Sequence, residues 1–392
     1  MTIPSDRLTH RDASLPSTAS AITVVRAELM AVRLPLRRSF ATSSHRKDHL
    51  DHILVRLTDR EGVQGWGECA SPSHPYYGPE TFTSCWNALK DYFAPVLVGE
   101  SWDHPEELDA VWGRIRGNLF ARAALDTACW DIYAQRRNRS LASALGGSAE
   151  EVEVGVSLGI EESLGALLDQ VEDHVGQGYR RIKLKIAPGW DVAPVATVRE
   201  RFPDTPLQVD ANAAYSSTAE HRRVMRALDT MALQMIEQPF PADDLLAHAE
   251  LQRELTTPVC LDESVTSAAT AHTALGLGAA KIINIKVSRL GGLTEARRVH
   301  DLCARSGIPV WCGGMHEFGV GRAANLALAA LPGFTLPGDI SGSDRYFTAD
   351  VLSSPITAAG GRVRVPSAPG LGVTVDRDAV RTHLLDQISV AQ

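Results

Sequence analysis

From about residue 152 onward, short apolar runs recur, IKLKI among them with period-two alternation, and most are separated by stretches with helical spacing. The runs are EVGVSLGI (153–160), RIKLKI (181–186), LQVDAN (207–212), LQMIEQP (233–239), PVCLDES (258–264), IINIKVS (282–288), IPVWCGG (308–314) and TLPGDI (335–340). Such runs predict strands. VAPVATVRERF (192–202), AHAELQREL (247–255) and TEARRVHDLCARSG (294–307) predict helices. Eight strands with crossovers in about 240 residues match a (β/α) barrel, usually about 250 residues long. A doubly wound sheet is the competing fold, but no G-x-G-x-x-G follows the first strand and no P-loop occurs. The preceding text, from about Ile22 to Gly147, reads as strands and then helices, which predicts a small α+β domain. ILVRLTD (53–59) and VQGWGEC (63–69) predict a hairpin around REG, and LFARAALDTACWDIYAQ (119–135) a helix with Leu125, Ala128, Cys129 and Ile132 on one face. Residues 1–21 are polar, rich in Ser and Thr, and lack a signal-peptide core; they are expected to be a disordered tail.

Composition narrows the class. With 392 residues, 44% hydrophobic and 22% charged, the chain has the makeup of a soluble enzyme of two or three domains. The net charge of -8 argues against a nucleic-acid partner, and no apolar run is long enough to span a membrane. The six cysteines form no C-x-x-C pair, so they are expected to be reduced in a cytoplasmic protein.

The ionisable residues fall near the C-terminal ends of the strands. Lys183 and Lys185 lie on the second, Asp210 and Asn212 on the third, Glu237 on the fourth, Asp262 and Glu263 on the fifth and Lys286 on the sixth. That rim is where barrel enzymes carry their chemistry. Singly, each has an ordinary explanation: a strand with one wet face for IKLKI, an Asx turn for DAN, a strand end for EQP, a helix N-cap for DES. Five consecutive strands bearing this set argue for a site. Asp210, Glu237 and Asp262 come from adjacent strands, and three unpaired carboxylates repel and resist desolvation. A hard cation resolves this, and oxygen-only ligands point to Mg2+, with Mn2+ or Co2+ as substitutes. Lys185 and Lys286, four strands apart in a ring of eight, face each other across the metal. One amine on each face of a bound carboxylate's α-carbon suits α-proton transfer. Lys183 is expected to depress the pKa of Lys185 by like-charge repulsion, and Arg289 to act similarly beside Lys286.

KLKIAPGWD, QVDAN, IEQP, CLDES and NIKVSRLGG resemble the enolase superfamily, muconate lactonizing enzyme subgroup. The run from Trp311 to Phe347, with GWGEC and PSAPGLGV, is similar to the N-succinylamino acid racemase / o-succinylbenzoate synthase family. The resemblance implies a (β/α)7β barrel over residues 148–358, with a capping domain from 22–147 completed by 359–392. It implies Mg2+ on Asp210, Glu237 and Asp262, supported by Asn212 and Glu263, with Lys185 and Lys286 as the acid/base pair. It also implies racemisation of N-acylamino acids, syn dehydration to o-succinylbenzoate, or both, on a small-molecule carboxylate substrate. The protein is expected to be a homo-oligomer. The chain has KVSR where the family usually has KPGR, and GGMHEF introduces His316 and Phe318 near Met315 at the pocket mouth. Some superfamily members use a strand-7 histidine as a base; here His316 is expected to shape the pocket. The stretches Arg37–His49 and Ala70–Glu80, the latter with Tyr76 and Tyr77, fall where the family's capping loops close over the site. A muconate-type cycloisomerase or dipeptide epimerase is the alternative within the superfamily, although Asp339 and Asp344 are too far apart for the epimerase's Asp-x-Asp. A catalytically silent metal-carboxylate-binding barrel is the alternative of another class.

Overall fold

A computed structural model describes residues 21–41 and 46–392. Apart from Ala21, the tail expected over 1–21 lies outside the described residues, as does part of the Arg37–His49 stretch. Strands β1 (Ile22–Ala41), β2 (Arg46–Asp59) and β3 (Gln64–Cys69) form an antiparallel sheet. The β2–β3 hairpin is where the sequence puts it. Asp59 Oδ1 accepts the N–H groups of Glu61 (3.0 Å) and Val63 (2.7 Å), while Gly62 takes the left-handed conformation at φ +84°.

Helix α1 (Leu119–Arg136) lies on this sheet. Its predicted face, Leu125, Ala128, Cys129 and Ile132, is fully buried. The GWGEC motif explains how close the helix comes. A Cβ on Gly67 would lie 1.9 Å from the Ala124 carbonyl oxygen, and one on Gly65 2.2 Å from that of Ala128. Only bare strand backbone admits the helix there. The opposite side of α1 is also covered, which a single apolar stripe does not foretell. Trp130 Nε1 donates to Thr294 Oγ1 (2.8 Å), Asp126 accepts the Thr294 N–H (3.1 Å), and Arg122 donates to the carbonyls of Gly291 (2.9 Å) and Leu290 (3.1 Å). The helix is therefore the wall between the capping sheet and the second layer.

That second layer is a parallel sheet of seven strands in sequential order: β4 (Val156–Leu158), β5 (Ile182–Lys185), β6 (Leu207–Asp210), β7 (Ile236–Glu237), β8 (Val259–Leu261), β9 (Ile282–Ile285) and β10 (Val310–Cys312). Helices α2 (Leu164–Gly176), α3 (Val192–Arg201), α4 (Ala219–Asp229), α5 (Leu245–Glu254), α6 (Ala268–Leu277) and α7 (Leu293–Arg305) connect them, and α8 (Gly319–Ala329) follows β10. Ser163, Asp191, Thr218, Asp244 and Ser267 cap the first five of these by accepting an N–H of the first turn. The curled sheet with its helices is a TIM-like barrel.

The eighth predicted strand, TLPGDI, is not regular. Its backbone still closes the ring, with the Gly155 N–H on the Gly338 carbonyl (2.9 Å), the Gly338 N–H on that of Glu153 (3.0 Å) and the Asp339 N–H on that of Cys312 (2.9 Å). Pro337, lacking an N–H, interrupts the ladder. After the barrel the chain returns to the capping sheet, where β11 (Leu384–Ala391) pairs antiparallel with β1 from Arg26↔Ala391 to Val32↔Leu384.

Candidate active site

The face of β5 that carries Lys183 and Lys185 is not wet. Both residues point into the barrel and are buried, at 3% and 8% exposure. Parallel register then sets the neighbours, pairing Lys185 with Asp210 and Asp210 with Glu237. Because side chains alternate along a strand, the inward groups stack in two tiers.

The lower tier centres on Glu237. Its Oε2 accepts Lys183 Nζ (3.0 Å) and Gln208 Nε2 (2.7 Å), and its Oε1 accepts Asn284 Nδ2 (2.8 Å). Lys183 also reaches Asp210 (3.1 Å) and Asp339 (2.5 Å). In the upper tier Lys185 Nζ donates to Asp210 Oδ2 (2.7 Å) and to Asn212. Asn212 Nδ2 in turn donates to Glu263 Oε1 (2.9 Å). Across the barrel Lys286 Nζ donates to Asp262 Oδ2 (2.7 Å), and Arg289 binds Asp262 Oδ1. The structure thus brings together Lys183, Lys185, Lys286, Asp210, Glu237, Asp262, Asn212, Glu263 and Arg289.

Ordinary local structure and site placement coincide at one position. DAN is an Asx turn, with the Asn212 N–H on Asp210 Oδ1 (3.0 Å) and Asn212 left-handed at φ 45°, and that turn aims the Asn212 side chain at Lys185. DES, by contrast, caps no helix, since Ser267 caps α6. Gln238 of EQP fixes this segment instead, accepting the N–H groups of Asp262 (3.0 Å) and Ser264 (3.2 Å).

Burial and charge pull these groups apart. Burial and the nearby Asp210 and Asp262 push Glu237 up to about 7. Burial, Asp262 and Asp210 push Glu263 up to about 8. Burial also works to raise Asp210, but Lys185 and Lys183 outweigh it and hold the carboxyl far below its usual range. Burial works to lower both Lys183 and Lys286; Asp339, Glu237 and Asp210 keep Lys183 charged, and Asp262 and Tyr77 do the same for Lys286. Lys183 and Lys185 share one Asp210 oxygen, so the like-charge approach read from the sequence is present. Among the described residues, no three acids, histidines or cysteines are grouped so as to enclose an ion, because ammonium groups occupy the inner carboxylate oxygens. The donor set nonetheless fits a hard cation: three buried carboxylates from adjacent strands, one of which burial and its acidic neighbours push up to about 7.

Lys183→Met is expected to destabilise the fold by about 3–5 kcal/mol, because it strips buried carboxylates of their partner. The Lys183 pKa is raised in the fold, so its contribution is whole below the ordinary 10.5 and is lost only as pH rises through the higher folded value. A urea midpoint at pH 7 that matches the wild type would contradict this.

A pocket of about 700 Å3, counted out to its open mouth, lies over these groups and is lined by Lys183, Lys185 and Lys286. Met315, His316 and Tyr76 line it as expected. His316 sits at φ +62° with Phe40 edge-on (4.6 Å) and Tyr346 stacked (4.8 Å). Burial and the charges of Lys47 and Arg322 push its pKa well below 6.5, so a neutral ring forms the wall. Phe318 is a correction to the sequence reading. It is fully buried away from the pocket, between His52 (4.4 Å) and Phe347 (5.3 Å), because the chain has already turned into α8. Both tyrosines of the Ala70–Glu80 stretch line the pocket, at different depths. Tyr76 is 58% exposed at the mouth, whereas the Tyr77 hydroxyl donates to Asp262 Oδ1 (2.7 Å) and accepts from Lys286 (3.3 Å). Asp339 has a different role from that of half an Asp-x-Asp. It is committed to Arg181 (2.8 Å) and Lys183 (2.5 Å), so it is not free to hold a dipeptide ammonium.

The mandelate racemase / muconate lactonizing enzyme N-terminal domain matches residues 21–146, and an enolase C-terminal domain-like model matches residues 166–379. The chain belongs to the enolase superfamily. Among its relatives, an o-succinylbenzoate synthase of Geobacillus stearothermophilus is 48% identical over 363 residues, 93% of this chain and 96% of that one. An N-succinylamino acid racemase of Amycolatopsis sp. is 45% identical over 366 residues, 93% and 97% of the two chains. A crystal structure of an enolase-superfamily member from Listeria innocua superposes with a TM-score of 0.91 at 39% identity, covering 94% of this chain and 99% of that one. As an enolase-superfamily enzyme, the protein falls in a group whose members use a divalent metal, usually Mg2+.

Proposed function

We propose that this enzyme removes and returns the α-proton of a carboxylate substrate, as an N-succinylamino acid racemase, an o-succinylbenzoate synthase, or both. The observation that carries this reading is the placement of Lys185 and Lys286. They stand four strands apart in the sheet, both inward and both lining one pocket, above three buried carboxylates. Asp210, Glu237 and Asp262 would hold Mg2+, which supplies Lewis-acid stabilisation of the charge that develops on the substrate carboxylate.

The remaining steps belong to the protein's own groups. In racemisation one lysine takes the proton from one face of the α-carbon and the other delivers a proton to the opposite face. In dehydration one lysine serves as base and then as acid, and the other stays cationic beside the developing charge. Burial favours the neutral amine of Lys286, and Asp262 and Tyr77 oppose it. Lys183 stays charged beside Lys185, the two amines sharing Asp210 Oδ2. Asn212 and Glu263 position the Lys185 amine, and Arg289 positions Asp262. All six cysteines are free and buried, which supports a reducing, cytoplasmic setting.

Proton exchange in D2O separates the readings. With N-succinylamino acids, α-deuterium incorporation by NMR is the expected result. Incorporation with dipeptides alone would make the protein an epimerase, and none with any carboxylate would make it a silent barrel.

A further inference from the structure

One cation in the pocket belongs to neither the proposed proton transfer nor the acid cluster. Lys47 enters from β2 of the capping sheet, and its partner across the antiparallel ladder is Phe40. Residues directly opposite on such a ladder share a face, and both line the pocket. Phe40 meets His316, which stacks on Tyr346, so the ammonium lies beside an aromatic wall. The other lining ammonium groups are ion-paired: Lys183 with Asp339 and Glu237, Lys185 with Asp210, and Lys286 with Asp262. Among the described residues no carboxylate pairs with Lys47. The two acids that line the pocket are already engaged, Asp339 by Arg181 and Lys183, Glu263 by Asn212.

We propose that Lys47 is a specificity-determining residue that receives a second, distal carboxylate of the substrate, so that the enzyme selects dianionic acids over analogues with a neutral far end. This rests on the proposed function, because the reacting carboxylate is the one between Lys185 and Lys286. Burial, together with repulsion from Lys185 and Lys286, pushes Lys47 down to about 8, so its charge is costly until an anion arrives.

The test compares an N-succinylamino acid with its terminal-amide isostere, the N-succinamyl derivative, in wild type, Lys47→Met and Lys47→Arg. Wild type is expected to favour the charged substrate in kcat/KM. Lys47→Met is expected to cut that preference about 10- to 100-fold, mostly through KM, and Lys47→Arg to retain most of it. In parallel, calorimetry with o-succinylbenzoate and its tail methyl ester should show the same loss of discrimination in binding. Equal losses on both partners of each pair in Lys47→Met, or no preference in wild type that binds and turns over both, would overturn the role of Lys47 alone. Wild type that neither binds nor turns over any of these acids would overturn the proposed function and this inference with it.

Discussion

Lys185→Ala and Lys286→Ala are each expected to lower racemisation by about 10^2- to 10^4-fold, the range supplied by a positioned acid or base. The reason is geometric. Each amine lies on its own side of the pocket, and neither can reach the opposite face of an α-carbon held between them. A variant with one lysine left can still exchange the proton on that lysine's face. Residual deuterium uptake should therefore be confined to one enantiomer, and to the other enantiomer in the second variant. Racemisation near the wild-type rate in either variant would overturn the two-base arrangement. Loss of uptake from both enantiomers in both variants, with circular dichroism showing disrupted folds, would mean that the lysines act only through the fold.

Chelation with EDTA is expected to abolish exchange, and Mg2+ to restore it. Asp210, Glu237 and Asp262 are at most 1% exposed, and burial, with repulsion from Asp210 and Asp262, already pushes Glu237 up to about 7. A divalent cation relieves that repulsion, so the metal should also raise the melting temperature of the folded protein, by mass action on the native state. The two readouts are independent, since the second needs no substrate. Full exchange after exhaustive chelation, with a melting temperature indifferent to Mg2+, would remove the metal from the account.

Much of the barrel and its centre is legible in the sequence because parallel strands repeat. Period-two alternation marks strands, and acids and lysines about one β/α unit apart mark their ends. The same regularity misled at TLPGDI, where Pro337 and Gly338 leave only isolated bridges between the first and seventh strands. What the sequence could not show depends on contacts between distant segments. Nothing in PYYG says which tyrosine turns toward Asp262. Phe318 reads as a pocket residue because it follows His316, yet it opens α8 and packs on His52 from the capping sheet. Arg181 looks like the edge of a strand, but with Asp339 it neutralises the interior below Lys183. Lys47 lies in the Arg37–His49 stretch that the resemblance places over the site, but which residue of that stretch reaches the pocket depends on how the capping sheet meets the barrel.

The pairing of β11 with β1 ties translation to the pocket mouth. Lys47 sits on β2, which borders one edge of β1, and Leu384–Ala391 borders the other. All the barrel strands precede Leu384 in the chain, so the catalytic centre can assemble on a nascent chain whose cap still lacks an edge. The capping sheet is thus completed after the strands that carry the site.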